Sequence, residues 1–302
     1  MARRAAAGRS LPLLIASVRP EQWTKNLLLF AGLMFGGRLL DAGAVLKATE
    51  AFVIFCALSS AVYLYNDIAD READRNHPLK QTRPIASGQL TVRTAALAAA
   101  ILGAGGLGFA MRISPLFGTL AATYLVLLFL YSAALKHIVI IDVLTIAAGF
   151  VVRAVAGAVA VSVPIGPWLP VCTTLLALFL ALSKRRHELL LLGEGATEHR
   201  PILQEYSPYL LDQMIAVVTA STVVAYSIFA TSAETAARLG TRRLGLTIPF
   251  VLYGIFRYLY LVHQKRGGGS PAATLVTDGP LLACVGLWAV AVGLCLYSPL
   301  GH

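Results

Sequence analysis

Residues 46–68 read LKATEAFVIFCALSSAVYLYNDI, and residues 69–88 continue ADREADRNHPLKQTRPIASG. A helix rises about 1.5 Å per residue, so the apolar first part is long enough to cross a hydrocarbon core about 30 Å thick. The acidic second part then begins at a membrane surface, on a helix continuing out of the span. Asn66, Asp70 and Asp74 are spaced four apart, and Asp67 precedes Asp70 by three residues and Asp74 by seven. On a continuous helix these four oxygen-bearing side chains share one face.

Long apolar runs recur along the whole chain. Of its 302 residues, 57% are hydrophobic and 13% charged, with a mean hydropathy of +0.73. Soluble domains carry about 25% charged residues, so this composition excludes both an ordinary water-soluble globule and a disordered chain. Nine stretches qualify as spans, at 22–40, 46–68, 91–111, 115–135, 138–161, 167–184, 208–232, 244–263 and 279–298. Breakers separate several of them: Pro115, the Pro164/Gly166/Pro167 cluster, Pro208, and the Gly267–Gly269 linker before Pro271. The first span is the least apolar, with Trp23, Lys25 and Asn26 in its opening turns. The expected fold class is therefore an all-α integral membrane protein, a bundle of nine transmembrane helices in a single domain over residues 1–302. Residues 1–18 read as a retained basic segment at the membrane surface, because Leu11–Val18 is short for a signal-peptide core and no small-residue cleavage site follows. Cys56, Cys172, Cys284 and Cys295 are scattered through apolar runs without any CxxC pair, and read as small core residues.

Orientation follows from Lys and Arg near the span ends. With nine spans, seventeen such residues fall on the side of the N-terminus and six on the other. The expectation is an N-terminus in the cytoplasm, in a multi-pass protein of the cell (inner) membrane. A net charge of +10 on such a face also attracts anionic lipid.

Three carboxylates along one helix face repel one another and are costly near a membrane. A divalent cation relieves both problems, and Mg2+ typically takes one or two carboxylates and fills its other positions with water and phosphate oxygens. Lys80 and Arg83 follow within a few residues, and such side chains grip phosphate. Acids for a metal followed by cations for phosphate describe a metal–diphosphate site. The competing possibility is a solvated helix end whose acids pair with Arg71 and Arg75.

With Asn66-Asp67-x-x-Asp70-x-x-x-Asp74 and Arg83-Pro84, the chain resembles the UbiA superfamily of intramembrane prenyltransferases. Tyr131-x-x-x-x-Lys136 before a span starting near Asp142 is a second match. Further motifs are Arg19-Pro-x-Gln22-Trp23-x-Lys25-Asn26, Ala134-Leu-Lys136-His137, Arg153-Ala-x-Ala-Gly157 and Lys184-Arg185-x-x-Glu188. Together they look like the decaprenyl-phosphate phosphoribosyltransferase branch, which implies a role in cell-wall biosynthesis. The resemblance covers nearly the whole chain, including Pro249-Phe250 to Arg257-Tyr258. Members that use prenyl diphosphate usually carry a second Asp-rich motif after the sixth span, where this chain has the basic Ser183-Lys184-Arg185-Arg186-His187-Glu188. The departure favours one acidic metal motif facing a cationic anion clamp.

The resemblance implies transfer of 5-phosphoribose from phosphoribosyl diphosphate (PRPP) to a polyprenyl phosphate, with release of diphosphate at a cytoplasm-facing site. Mg2+, with Mn2+ as a substitute, would be held by Asn66, Asp67, Asp70 and Asp74. Asp67, Asp70, Asp74, Lys80 and Arg83 would be catalytic. Lys80, Arg83, Tyr131, Lys136, Asp142, Arg153, Lys184, Arg185 and Glu188 would surround the donor phosphates. Arg19, Gln22, Lys25 and Asn26 would take the acceptor lipid phosphate, beside the interfacial Trp23. Partners would be the two substrates and bilayer lipid, with a homo-oligomer compatible and no nucleic acid. The alternative within the same chemistry is prenyl transfer from a prenyl diphosphate to an aromatic acceptor. A transporter or channel is a different class, suggested by Arg153 inside a span, but the chain shows no clear internal repeat with paired broken helices.

Several polar groups admit structural roles as well. Asp142, Ile146, Gly149, Arg153 and Gly157 fall on one helix face, where glycine would open space beside Arg153, or Asp142 and Arg153 would share a structural network. Lys184 and Glu188 could form a simple helix ion pair, and Arg257 could snorkel. Gly32, Gly36, Gly37 and the Gly103–Gly108 cluster read as close helix packing.

Overall fold

A computed structural model describes residues 11–76, 80–192, 201–265 and 269–297. The basic residues Arg3, Arg4 and Arg9, the pair His77-Pro78, the loop 193–200 and residues 266–268 lie outside the described residues. All regular elements among the described residues are helices. Eight are long and apolar enough to cross a membrane. They are α1 (Ala42–Ala69), α2 (Val92–Ile113), α3 (Pro115–Ala133), α4 (Ile141–Ala160), α5 (Trp168–Leu192), α6 (Pro208–Thr231), α7 (Ile248–Gln264, which reaches spanning length with the 3-10 turn Arg243–Thr247 before it) and α8 (Gly279–Tyr297). These match the second to ninth expected spans.

The starts of these helices follow from their capping residues. Asp41 accepts from the amides of Gly43 and Ala44 at 2.9 and 3.1 Å, and its carboxyl is held below the usual carboxylate range by hydrogen bonding to Arg38 and to those amides. Thr91, Ser114 and Ser207 cap α2, α3 and α6, with Pro115 and Pro208 in the first turn. Each such cap contributes about 1 kcal/mol.

The first expected span takes another form. Residues Pro20–Phe30 are a 3-10 helix and Ala31–Phe35 a short α-helix. Arg19 precedes them in the left-handed region, with φ 53°. The segment lies between α1 and α4. The Trp23 indole donates to the Ser60 hydroxyl at 3.1 Å, and the Asn26 amide donates to Cys56 and Ser59 at 3.3 Å. Trp23 is thus anchored on α1, with its indole N–H spent inside the protein. On the other side the backbone runs hard against α4. A Cβ at Gly157 would come 2.6 Å from the carbonyl carbon of Leu29 and closer still to its oxygen. A Cβ at Gly32 would lie 2.6 Å from the Ala158 Cα. Glycine at 157 therefore admits the backbone of the first segment rather than opening space beside Arg153. Gly106 makes room between α1 and α2 for a side chain, since a Cβ there would lie 2.9 Å from the end of Leu58, whereas Gly37, Gly105 and Gly108 face open space.

Because successive long helices alternate in direction, the C-termini of α1, α3, α5 and α7 meet the N-termini of α2, α4, α6 and α8 at one end. Contacts between Arg19 and Asp67, Ser132 and Asn66, and Tyr206 and Asp142 tie that end together. Arg257 has a carboxylate partner at this end. It makes two hydrogen bonds to Asp278, at 3.0 and 2.8 Å, joining α7 to the start of α8.

Candidate active site

The acidic row divides as it leaves the membrane. Helix α1 ends at Ala69 and a short helix, Arg71–Asn76, follows, yet Asp70 and Asp74 still donate backbone N–H groups to the carbonyls of Asn66 and Asp70. Near-helical spacing therefore continues through the junction. Asp67 and Asp74 form one row, both buried, and Arg83 joins them. Its Nη1 lies 3.1 Å from Asp67 Oδ1 and 2.6 Å from Asp74 Oδ2. Arg19 reaches the same Asp67 oxygen at 2.5 Å, while stacking over the Tyr63 ring, and Lys80 lies 3.8 Å from Asp74. Asn66 and Asp70 form the second row, turned toward α3. Asn66 accepts from Ser132 at 2.5 Å and Asp70 from Lys136 at 3.2 Å. The four side chains lie on one side of the helix but serve two sets of partners. Arg71 and Arg75 are not those partners: Arg75 instead donates to the Ala86 carbonyl and braces the following loop.

A second cluster joins α3, α4, α5 and the N-terminal approach to α6. Asp142 is fully buried, receiving Arg185 Nε at 2.8 Å and the Tyr206 hydroxyl at 2.7 Å. Arg185, 2% exposed, also reaches Glu188 at 2.7 Å and the Tyr131 hydroxyl at 3.3 Å. Lys184 lies 3.8 Å from Glu188. Burial and donation to the Asp142 carboxylate push the Tyr206 phenol up to about 12, so it remains a donor at any working pH. The same Tyr206 oxygen accepts the Ile140 N–H at 2.8 Å. Ile140 has φ 69° and ψ −44°, and the Ile141 N–H donates back to the Val139 carbonyl at 2.8 Å. This is a γ-turn of the rare positive-φ kind, centred on a β-branched residue, and such strain costs about 1–3 kcal/mol.

The third cluster lies deeper. Arg153, 5% exposed, donates to Asn26 at 2.8 Å, to the Gly149 carbonyl at 3.2 Å and to the Tyr124 hydroxyl at 2.6 Å. It stacks on the rings of Tyr124 and Phe150, at 4.7 and 5.0 Å. No carboxylate pairs with it among the described residues, and Asp142 is engaged elsewhere. Lys25 lies within electrostatic reach of Arg153, Lys184 and Arg19, and so links all three clusters.

Sequence motifs had separated Arg19, Gln22, Lys25 and Asn26 from the donor residues. In the structure Arg19 joins the acidic row and Asn26 holds Arg153, so the two sets share one polar interior. The sequence pattern missed Ser132, Tyr124 and Tyr206. Tyr124 carries the one available signal, a phenol in mid-span whose hydroxyl needs a partner. Tyr206 sits outside every motif.

The UbiA prenyltransferase family model matches residues 26–274. The chain belongs to that family. It is 32% identical over 297 residues to a decaprenyl-phosphate phosphoribosyltransferase of Mycolicibacterium smegmatis, covering 94% of this chain and 92% of that one. A protein of the same description from Corynebacterium glutamicum is 30% identical over 289 residues, covering 94% and 86%. The fold is similar to that of a UbiA homologue from Archaeoglobus fulgidus bound to GPP and Mg2+, with a TM-score of 0.71 and 18% identity over 94% of this chain and 99% of that one. Family membership and the apolar helices make this a multi-pass membrane protein.

Proposed function

We propose that the protein transfers 5-phosphoribose from PRPP to a polyprenyl phosphate and releases diphosphate. The observation that carries this reading is the surplus of positive charge inside the site. Arg153 is buried with no carboxylate beside it among the described residues, and Lys25 lies within electrostatic reach of it. A buried charge without a counter-charge is costly, and a polyanionic ligand supplies one. The relatives described as decaprenyl-phosphate phosphoribosyltransferases support the same assignment.

The acidic row fits a hard cation. One Arg83 nitrogen already bridges oxygens of two buried carboxylates, so oxygen donors converge on a single positive atom. Among the described residues no group of three His, Cys, Asp or Glu converges further. The two-carboxylate set suits Mg2+, which draws its remaining ligands from water and phosphate. We assign Asp67 and Asp74 as the converged pair, with Asn66 and Asp70 on the adjoining row. Bound there, Mg2+ would supply Lewis-acid stabilisation of the departing diphosphate.

The chain's own residues then bind and orient. Arg83 and Lys80 face the diphosphate beside the acidic row. Arg153, Lys184, Arg185 and Lys136 set the donor against the acceptor. Arg19, Gln22 and Lys25 receive the lipid phosphate from the membrane side, while the buried Asn26 holds Arg153 in place. An oxygen of that phosphate attacks the ribose anomeric carbon as the carbon–oxygen bond to diphosphate breaks. The acceptor is already an anion, so no strong base is needed. Orientation and electrostatic stabilisation carry the rate.

The proposal extends to the membrane arrangement. A 3-10 helix rises about 2.0 Å per residue, so Pro20–Phe35 extends about 30 Å and forms a ninth crossing. With the lysine and arginine bias, the N-terminus and the site face the cytoplasm. The test is donor competition. Purified protein in lipid receives PRPP or a prenyl diphosphate, with polyprenyl phosphate and an aromatic acceptor present. A phosphoribosyl lipid is expected by mass, and prenylated acceptor without phosphoribosyl lipid would overturn the assignment.

A further inference from the structure

The γ-turn at Ile140 is strained, and its own side chain does not explain why it persists. Ile140 is 44% exposed, so core packing does not impose the positive φ. A β-branched residue there is an outlier that survives only where surrounding contacts over-determine it. Those contacts are main-chain hydrogen bonds plus one side chain. The Ile141 N–H closes the turn onto Val139, and the Ile140 N–H is taken by the Tyr206 hydroxyl at 2.8 Å. Tyr206 itself is 4% exposed and packed in the apolar core shared by α4 to α8, so its hydroxyl is held in place from behind.

What the turn controls lies on both sides of it. Four residues earlier is Lys136, paired with Asp70 of the acidic row. Two residues later is Asp142, which holds Arg185 at 2.8 Å and receives the second hydrogen bond of Tyr206 at 2.7 Å. One phenol oxygen thus accepts from the strained turn and donates to the carboxylate that aims a buried guanidinium. We infer that Tyr206 is a positioning residue: its hydroxyl latches the Val139–Ile141 turn and thereby sets Lys136 and Asp142–Arg185 as one side of the anion site. This deepens the proposed function and rests on it for the identity of the anion. Tyr206 touches no substrate. It acts through the turn, and strain makes the turn dependent on the latch.

The dependence gives a test that ordinary structural damage would not mimic. Glycine adopts positive φ without steric cost, so Ile140→Gly removes the strain that the latch opposes. The full-length protein in lipid nanodiscs is titrated with inorganic pyrophosphate in the presence of Mg2+. Tyr206→Phe keeps the ring and its packing, and should raise the pyrophosphate Kd about tenfold, the size of one lost hydrogen bond to a charged network. In the Ile140→Gly background the same substitution should raise it about threefold or less, the remainder reflecting the lost donation to Asp142. Backbone hydrogen exchange over residues 138–142, apart from the position-140 amide that loses its own acceptor, should quicken about tenfold in Tyr206→Phe and return toward the parent rate in the double variant. An unchanged Kd in Tyr206→Phe, or an equal loss in both backgrounds, overturns the latch. If the parent protein bound no pyrophosphate at all, the diphosphate-site reading would fall, and exchange at 138–142 would still decide the latch by itself.

Discussion

Replacing Gly157 with alanine adds one methyl group at the most crowded point between the N-terminal segment and α4. That carbon would sit 2.6 Å from the Leu29 carbonyl carbon and 2.7 Å from its Cα. Carbon atoms rest about 3.5–4.0 Å apart, so one backbone must retreat by roughly 1 Å. Neither can rotate away, because both partners are main chain. Overpacking costs about 1–3 kcal/mol even where side chains can adjust, so the upper end or beyond is expected here. The displacement also reaches the site. Asn26 is three residues before Leu29 and accepts from Arg153 at 2.8 Å, and a retreat of about 1 Å takes that contact past hydrogen-bonding range. Misplacement of that size can cost about a hundredfold in rate. Gly149→Ala is the control on the same helix. Its Cβ would meet nothing nearer than 3.9 Å, so it should be neutral, or stabilising by up to about 1 kcal/mol through helix propensity. Thermal unfolding in detergent and kcat/KM for both substrates read the outcome. Native-like stability and turnover in Gly157→Ala, or equal effects of the two substitutions, would refute the packing account of the first segment.

Asp67→Asn and Asp74→Asn should each abolish turnover at saturating Mg2+ while leaving insertion intact. Near-parent activity in both would remove the metal assignment. Lys25→Ala should raise KM mainly for polyprenyl phosphate and Arg153→Ala mainly for PRPP, by about tenfold or more, in steady-state kinetics with each substrate varied. A rise for the soluble donor alone with Lys25→Ala would reverse the division. In a cysteine-free background, an outside reagent should label a cysteine placed at Arg238 and spare one at Gly195. The reverse pattern would invert the orientation. Hydrogen bonding to Arg257 holds the Asp278 carboxyl below its ordinary 3.8. The stabilisation is then present above that ordinary value and lost as pH falls through the lowered one. The Tm difference between the parent and Asp278→Asn should therefore be seen at pH 7 and shrink toward pH 3.

Eight of nine expected spans were legible because apolar length fixes a transmembrane α-helix almost without context. The first was misread in form for a local reason. Its helix type depends on a partner, since the close approach at Gly157 and Gly32 and the anchors at Ser60 and Arg153 come from distant residues. Period-based reading assumes 3.6 residues per turn and has no access to such contacts. In the site, the acidic row was legible because its spacing is intrinsic to a helix. Its split into two rows was not, because that depends on Arg83 lying against one and Ser132 and Lys136 against the other. The shared face of Asp142 and Arg153 was also legible, but not their separate partners. Tyr206 reaches Asp142 from 64 residues away, and nothing in its neighbourhood announces it.

The charges in this interior do not cancel, and the mismatch bears on which substrates fit. Asp67, Asp70, Asp74, Asp142 and Glu188 face Arg19, Lys80, Arg83, Lys136, Lys184 and Arg185, with Arg153 in addition. A bound divalent cation widens the positive excess. Each phosphate group brings about one to two negative charges, so PRPP and a polyprenyl phosphate together offset a large excess with four. A prenyl diphosphate alone brings two, and its aromatic partner need bring none. The basic stretch Ser183–Glu188, in place of a second acidic motif, shifts the balance in the same direction. On the proposed function such a site would discriminate by charge as well as shape, because a ligand with too few phosphates would leave Arg153 buried and unmatched. Its affinity for the fully phosphorylated donor should accordingly exceed that for inorganic pyrophosphate by more than the ribose contacts alone provide.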